Sequence, residues 1–525
     1  MNREPKKVIP ALIAAVIFTV SFSCISCRHS DLTKESLIPR PVSVTSSGGY
    51  FVLNSDASVY VQGESEVLKK VGTYLAEKLR PATGFRINVK VTDKEPGRGN
   101  IFLNLSGSAG KTDDEAYELY IAKNIVKLTA ATPAGIFRGV QTIRQLLPAS
   151  IEQGTVQEGP WKIATGSISD FPDYSYRGAM FDVARHFFSV ADVKRFIDLI
   201  SFYKLNALHL HLSDDQGWRI EIKSWPNLAI HGGSTQVGGG PGGYYTQEQY
   251  AELVKYASDR YIIIVPEIDM PGHINAALAS YPELNCNGKA SDLYTGIEVG
   301  FSTLCTKKEI VYKFVEDVVR ELAALTPGPY IHIGGDESHV TKKEDYIPFV
   351  KKAHDIVIAH GKQVMGWDEI SLSELNPGTV AQYWSNMENA GRAVSQGAKI
   401  LMSPAARTYI DMKYDSTTVL GQHWAGYVEV DSSYIWNPAT LVAGIGKENI
   451  LGVEAPLWTE TITNMEELEY MVFPRLPGIA EIGWSPASVR SWEDYKIRLG
   501  NQAERFKAMN INFYHSRLVP WNIAK

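Results

Sequence analysis

The sequence predicts a (β/α)8 barrel preceded by a small α+β domain. Three observations carry this prediction. From about residue 175 onward, apolar strand-like runs alternate with amphipathic helices in about eight β-then-α units over roughly 330 residues. No glycine-rich phosphate loop follows the first of these runs, which weighs against the runner-up, a doubly wound open sheet. Finally, acidic, polar and aromatic residues gather just beyond the runs, at the face where such barrels carry their function.

The N-terminus reads as a targeting segment over 1–27. Arg3, Lys6 and Lys7 form a positive stretch, and an apolar run follows from Val8 to Phe22. Cys24 and Cys27 then resemble lipoprotein acceptor cysteines, although the usual leucine three positions earlier is missing. Lipidation is favoured over plain signal cleavage or an uncleaved anchor. An acyl anchor would be the chain's link to a membrane.

Residues 31–168 read as the small α+β domain. Ala57–Gln62 and Ile87–Val91 alternate like strands, while Val67–Leu79 and Gly135–Leu147 repeat like helices. This part carries no evident catalytic constellation. Residues 170–525 read as the barrel with a C-terminal helix. Its strands are expected at Arg177–Val183, Ala207–Leu212, Ile262–Ile268, Tyr330–Ile333, Gln363–Trp367, Val380–Trp384, Lys399–Met402 and Ile450–Val453. Helices are expected at Val190–Phe202, Thr246–Ser258, Lys307–Leu325, Lys343–His360 and Met465–Ala480. The glycine-rich stretch Gly232–Gly243 reads as a mobile loop near the barrel mouth that would shape the leaving-group subsites, or else as a disordered surface loop.

Composition narrows the function. With a net charge of −6 and no long basic block, the chain lacks the footprint that nucleic acid requires. It has 11 tryptophans, several of them near expected strand ends, which hints at sugar stacking beside the plainer role of filling cores. Cys286 and Cys305 fall in one loop-like region and are either a disulfide or two free thiols. No Cys/His cluster has zinc spacing, and no metal or organic cofactor is implied.

The most informative stretch is Ile331-His332-Ile333-Gly334-Gly335-Asp336-Glu337-Ser338. An apolar strand ends in two glycines and then two adjacent carboxylic acids. Buried charge is costly unless paired or neutralised, so two acids at a strand mouth call for a function. Acids and aromatic walls at a barrel mouth suit glycoside hydrolysis, which generally uses two carboxyl groups across the scissile bond. Adjacent strand residues point to opposite sides, so Asp336 and Glu337 are poorly placed to straddle one bond. That favours a mechanism in which the nucleophile is not an enzyme carboxylate.

Five ordered segments resemble family 20 glycoside hydrolases, the β-N-acetylhexosaminidases. They run from Arg177 to His186, from His209 to Trp218 and from Pro266 to His273, then from His332 to Ser338 and from Gly452 to Glu460. The resemblance covers nearly everything after the signal, including the small domain. It implies exo-acting, retaining hydrolysis of terminal β-linked GlcNAc or GalNAc, with the substrate's 2-acetamido oxygen attacking to give an oxazolinium intermediate. By resemblance, Glu337 is the acid and then the base, with a raised pKa expected. Asp336 orients the acetamido N–H, and Tyr409 holds its oxygen. Arg177 binds the 3- and 4-hydroxyls with Glu460, and Asp411 accepts from the 6-hydroxyl. Trp367, Trp384 and Trp458 wall the pocket. His211, Asp214 and His273 support Glu337, while Asp182, Arg185 and His186 read as a structural network. Two alternatives stand beside this reading: a lacto-N-biosidase-like enzyme with a roomier pocket, and a silent glycan-binding lipoprotein.

Overall fold

The computed structural model describes residue 1, residue 4, residues 30–106 and residues 114–522. The expected targeting segment, including Cys24 and Cys27, lies outside the described stretches. Among the described residues, no helix is long and apolar enough to cross a membrane.

The N-terminal domain is a seven-stranded mixed sheet. Its strands are β1 (Ser43–Leu53), β2 (Ser58–Gln62), β3 (Asn88–Thr92), β4 (Asn100–Leu105), β5 (Tyr117–Ala122), β6 (Ile125–Ala130) and β7 (Trp161–Asp170). They lie in the order β1-β7-β5-β6-β4-β2-β3. Helices Glu66–Thr83 and Pro133–Leu146 pack on it. Each begins where a hydroxyl side chain takes up an otherwise orphaned N–H: Ser65 accepts from Leu68, and Thr132 from Gly135. Their buried residues, with those of the sheet, form one apolar core.

Eight parallel strands close the barrel: β8 (Tyr176–Asp182), β9 (Ala207–His211), β10 (Ile263–Glu267), β11 (Tyr330–His332), β12 (Gln363–Trp367), β13 (Val380–Tyr383), β14 (Lys399–Met402) and β15 (Ile450–Leu457). Alternation along these strands sorts the interior into layers. Tyr176, Ala207, Val265, Met365, Val380 and Leu401 form an apolar floor. Two residues further along the same faces come His209, Glu267, Trp367 and Gln382, all buried. The polar layer therefore sits on the apolar one, directly under the mouth.

The outer helices follow their sequence signals. Val190–Phe202 and Gln247–Ser258 both open with capping boxes, Ser189 with Asp192 and Thr246 with Gln249. The expected single helix over Met465–Ala480 is instead two, Met465–Val472 and Arg475–Trp484. Pro474 separates them, because proline lacks an N–H and pushes the preceding Phe473 out of helical geometry. The expected C-terminal helix is likewise two short ones, Trp492–Gly500 and Ala503–Ala508.

The two domains meet through buried ions. Glu115 bridges Arg138 of the small domain and Arg177 of β8, at 2.6 and 2.7 Å. Lys204 pairs with Asp170 at 2.9 Å. Cys286 and Cys305 are joined in a disulfide.

Candidate active site

The C-terminal ends of the barrel strands surround a cavity of about 310 Å³. Asp336, Glu337, Tyr409, Trp384, Trp458 and Glu460 line it, together with Arg185 and His273. Ile297, Val299, Gln422 and Trp424 complete its rim.

The backbone that presents the acids is unusual. Gly334 and Gly335 have φ of 64° and 101°, and Glu337 itself has φ of 44°. A Cβ at Gly334 would fall 1.8 Å from Asp269 Oδ1, so only glycine allows β11 to pass that carboxylate. A left-handed non-glycine residue costs about 1–3 kcal/mol and persists where its surroundings over-determine it. Here the Gly335 N–H donates to Asp269 at 3.0 Å, and the Tyr346 hydroxyl donates to Gly335 O at 2.6 Å. The result is that Asp336 is buried while Glu337 keeps a partly exposed carboxyl.

Electrostatics separate the two acids. Burial drives the Asp336 carboxyl well above its usual range, and neighbouring Asp269 adds to this. Burial also lifts Asp269, to about 8. Asp269 Oδ2 and Asp336 Oδ1 are both buried, and neither meets an N–H or O–H donor of the protein. One proton shared between the carboxyls resolves that conflict. Glu337 goes the other way. Burial pushes its pKa up, but the hydrogen bond and charge of His273 outweigh this and leave it lowered. His273 Nε2 lies 3.4 Å from Glu337 Oε2, and Nδ1 lies 3.2 Å from Asp214 Oδ1. The raised pKa expected for Glu337 is thus corrected. The expectation weighed the neighbouring acid, whereas the imidazolium from the end of β10 dominates.

Arg185 dominates the opposite wall. It pairs with Asp214 at 2.8 Å and lies 3.5 Å from Asp182. Its Nε is buried with no hydrogen-bond partner in the protein. Asp182 fixes this corner by accepting from the backbone N–H groups of Ala184, Arg185 and Thr459, which ties Arg185 to the segment bearing Trp458 and Glu460. Burial lifts Glu460 despite the pull of Arg185.

Arg177, the residue expected to bind sugar hydroxyls, is far from this wall. It stands at the start of β8, buried at the domain junction, where it donates to Glu115 and to the carbonyls of Lys204 and Tyr174. The correction follows from strand direction. The N-terminal end of a barrel strand faces away from the mouth, and Arg185 follows the other end. Trp367 lies beneath the lining: it is buried, donates to Glu267 Oε1 at 2.9 Å and packs against Trp458 at 5.7 Å between centroids. Asp411 is also buried, and burial followed by the charge of Glu460 raises it. His211 sits under Trp458, edge to face at 4.9 Å.

Trp424 was not foreseen. It stands edge-on to both Tyr409 and Trp384, with centroids at 5.7 and 5.8 Å. Its loop is held from below by Arg475, which donates to the carbonyls of Ile410, Met412 and Val428. The Gly232–Gly243 loop is similarly pinned. Arg219 donates to the carbonyls of Gly233, Thr235 and Gly243, and Val237 N–H donates to Arg185 O. Three groups bring acid and imidazole ligand atoms within 4.8 Å of one another: His209 with Glu267 and His332, Asp214 with Asp215 and His273, and Asp269 with His273 and Asp336. Each pairs imidazole with carboxylate, the donor set of an ion-pair network as much as of a metal site.

Comparison with known proteins fits this geometry. The model of the glycosyl hydrolase family 20 catalytic domain matches residues 174–346 and 338–487, and that of the family's domain 2 matches 34–171. The chain belongs to glycosyl hydrolase family 20. A β-N-acetylhexosaminidase from Cellulomonas fimi is 43% identical over 93% of this chain and 97% of its own length. The family 20 β-N-acetylhexosaminidase structure from Streptomyces coelicolor A3(2) superposes with a TM-score of 0.90 at 51% identity, covering 93% of this chain and 99% of that one. A Streptomyces plicatus β-hexosaminidase variant in complex with its product GlcNAc gives 0.91 at 50% identity, covering 94% and 99%. As a family 20 member, the chain is an exo-acting, retaining β-N-acetylhexosaminidase that works by substrate-assisted catalysis.

Proposed function

We propose the following division of labour among this chain's residues. Glu337 protonates the leaving oxygen and then activates water, and a bound sugar, by excluding water from its carboxyl, offsets the pull of His273 on its proton. Asp336, sharing one proton with Asp269, accepts the acetamido N–H and steadies the positive charge of the oxazolinium ring. Tyr409 donates to the acetamido oxygen as it attacks. Arg185, in place of Arg177, and Glu460 hold the sugar's hydroxyls, with Trp458 under its face. Ile297, Val299 and Trp424 stand at the rim where the leaving group emerges.

The observation that carries this reading is the asymmetry of the adjacent acids. One is buried beside a second carboxyl, and the other is partly exposed beside an imidazolium. A retaining enzyme with two working carboxylates would set them ~5–5.5 Å apart across the bond. A terminal GlcNAc, the product held by the S. plicatus relative, is the ligand class proposed for this cavity.

The test is Glu337→Gln. Turnover of substrates with poor leaving groups should fall by about 10²–10⁴, the usual worth of a general acid. Activated aryl glycosides should lose much less, and binding of a thiazoline analogue of the oxazoline should persist. Equal activity of the variant and wild type would overturn the assignment.

We also propose export and acylation at Cys27, or else Cys24. The support is the positive stretch, the apolar run and the flanking cysteines. Mass spectrometry of the membrane fraction would detect the diacylglyceryl peptide. Its absence, with a soluble mature chain, would refute the anchor.

A further inference from the structure

The mechanism above uses the rim of the barrel and leaves its polar interior unexplained. Glu267, the last residue of β10, is fully buried and faces four ring nitrogens. Oε1 accepts from Trp367 Nε1 at 2.9 Å and lies 2.9 Å from His332 Nδ1. Oε2 lies 2.5 Å from His211 Nδ1 and 3.0 Å from His209 Nε2. From there the contacts continue in two directions. His209 Nδ1 reaches Glu454 at 2.9 Å. His211 Nε2 reaches Asp214 at 2.8 Å, Asp214 reaches His273 at 3.2 Å, and His273 reaches Glu337 at 3.4 Å. Acid and imidazole alternate from Glu454 to Glu337, with hydrogen bonds at His209 Nδ1, at both His211 nitrogens and at His273 Nδ1, and ion contacts at His209 Nε2 and His273 Nε2.

We infer that Glu267 is a positioning residue that supports both halves of the active site at once. Through His211 it sets the orientation of Asp214, and hence the grip of Asp214 on His273 and of His273 on Glu337. Through Trp367 it braces the indole on which Trp458 rests. The first arm governs the proton transfer, and the second governs how the sugar is carried.

Charge supports the first arm. Burial works against a charged imidazole, yet the flanking carboxylates lift His209 to about 9 and His211 to about 10. At neutral pH His211 is therefore a cation pointing both N–H groups at carboxylates, with Glu267 on one side and Asp214 on the other. Charge on the surrounding elements also acts on this core. Arg185 works against the His211 cation, and Glu267 in turn helps to lift Asp269. A neutral amide at position 267 would leave His211 with one carboxylate partner and would offer a single acceptor oxygen where Trp367 and the histidines now share two. Burying unlike charges in a chain costs more than an apolar core of the same volume, so this chain is better explained by function than by stability.

The inference rests on Glu337 being the proton donor, and a pair of variants tests it against a control. Glu267→Gln should lower kcat/KM for a poor leaving group by about tenfold to a hundredfold and shift a limb of the pH profile, with a raised KM as well. Trp367→Phe, which cuts only the second arm, should raise KM and leave the pH limbs in place. Glu337→Gln is the control. If it retains full activity, the proton-donor assignment has failed. If it loses activity while a folded Glu267→Gln keeps wild-type pH limbs and leaving-group dependence, the role of Glu267 has failed. Should Glu267→Gln not fold, an NMR titration of the His211 ring in the wild-type enzyme decides instead. A cation persisting above pH 8 supports the inference, and a ring neutral at pH 7 overturns it.

Discussion

The Arg185 guanidinium lies over the Trp458 indole, 4.7 Å from the ring centroid. Cation and ring hold each other where one wall of the sugar pocket meets its floor. Arg185→Lys keeps the charge but loses the planar fork, and should lower kcat/KM about tenfold to a hundredfold. Arg177→Lys should leave KM unchanged and lower the melting temperature instead. A KM that responded to Arg177 and not to Arg185 would reverse the placement of the two arginines.

The Asp269–Asp336 pair predicts an alkaline limb. Asp269, lifted to about 8 chiefly by burial, loses its proton as pH rises through that value. Asp336 is also held well above its usual range, so the pair then keeps one proton between its two acids, and activity should change through a limb near pH 8. Asp269→Asn supplies a permanent N–H donor to Asp336. Its alkaline limb near pH 8 should vanish, with activity at neutral pH within about tenfold of wild type. A wild-type profile that is flat up to pH 10 would count against the shared proton.

Glu115 should matter for stability rather than catalysis. Burial pushes its carboxyl up, but Arg177 and Arg138 overcome this and hold it down at about 2. A depressed acid stabilises the fold above its unfolded pKa of about 4.5, and that contribution fades as pH falls toward 2. Glu115→Gln should therefore cost about 3 kcal/mol at pH 7, with the gap to wild type closing in acid. Denaturant melts at pH 7 and pH 3 would show it, and an equal gap at both would not fit.

Asp411 and Glu460 together make one part of the site acidic. A sulfate at the sugar's 6-position would have to bury its charge against carboxyl oxygens, which offer it one O–H donor each at most. Unsulfated aryl glycosides should be hydrolysed with a kcat/KM at least about a hundredfold above that of 6-sulfated ones. Comparable values on both would remove Asp411 from the 6-hydroxyl.

The barrel was legible because each strand is a compact apolar run followed by an amphipathic helix, and strand ends named most of the cavity wall. Strand direction alone separates Arg177 from the mouth. It heads its strand, whereas Arg185 follows the strand's C-terminal end. Trp424 gave no such cue, because it belongs to a long loop after β14 whose path depends on a distant arginine, Arg475. The lowered Glu337 pKa was hidden for a similar reason. His273 comes from another strand end, and no local pattern says that its ring will point at Glu337 rather than at Asp214 alone.

Arg219 and Arg475 hold the two long mouth loops chiefly by main-chain oxygens, six loop carbonyls from Gly233 to Val428 among their partners, and Arg475 also lies over the Tyr414 ring. Every residue type offers the same carbonyl. Away from Tyr414 and from glycines with no room for a Cβ, such as Gly233, Gly242, Gly243 and Gly421, side chains along those loops can therefore be exchanged without releasing the loops, which leaves the rim open to new glycan preferences while the proton-transfer machinery below stays as it is.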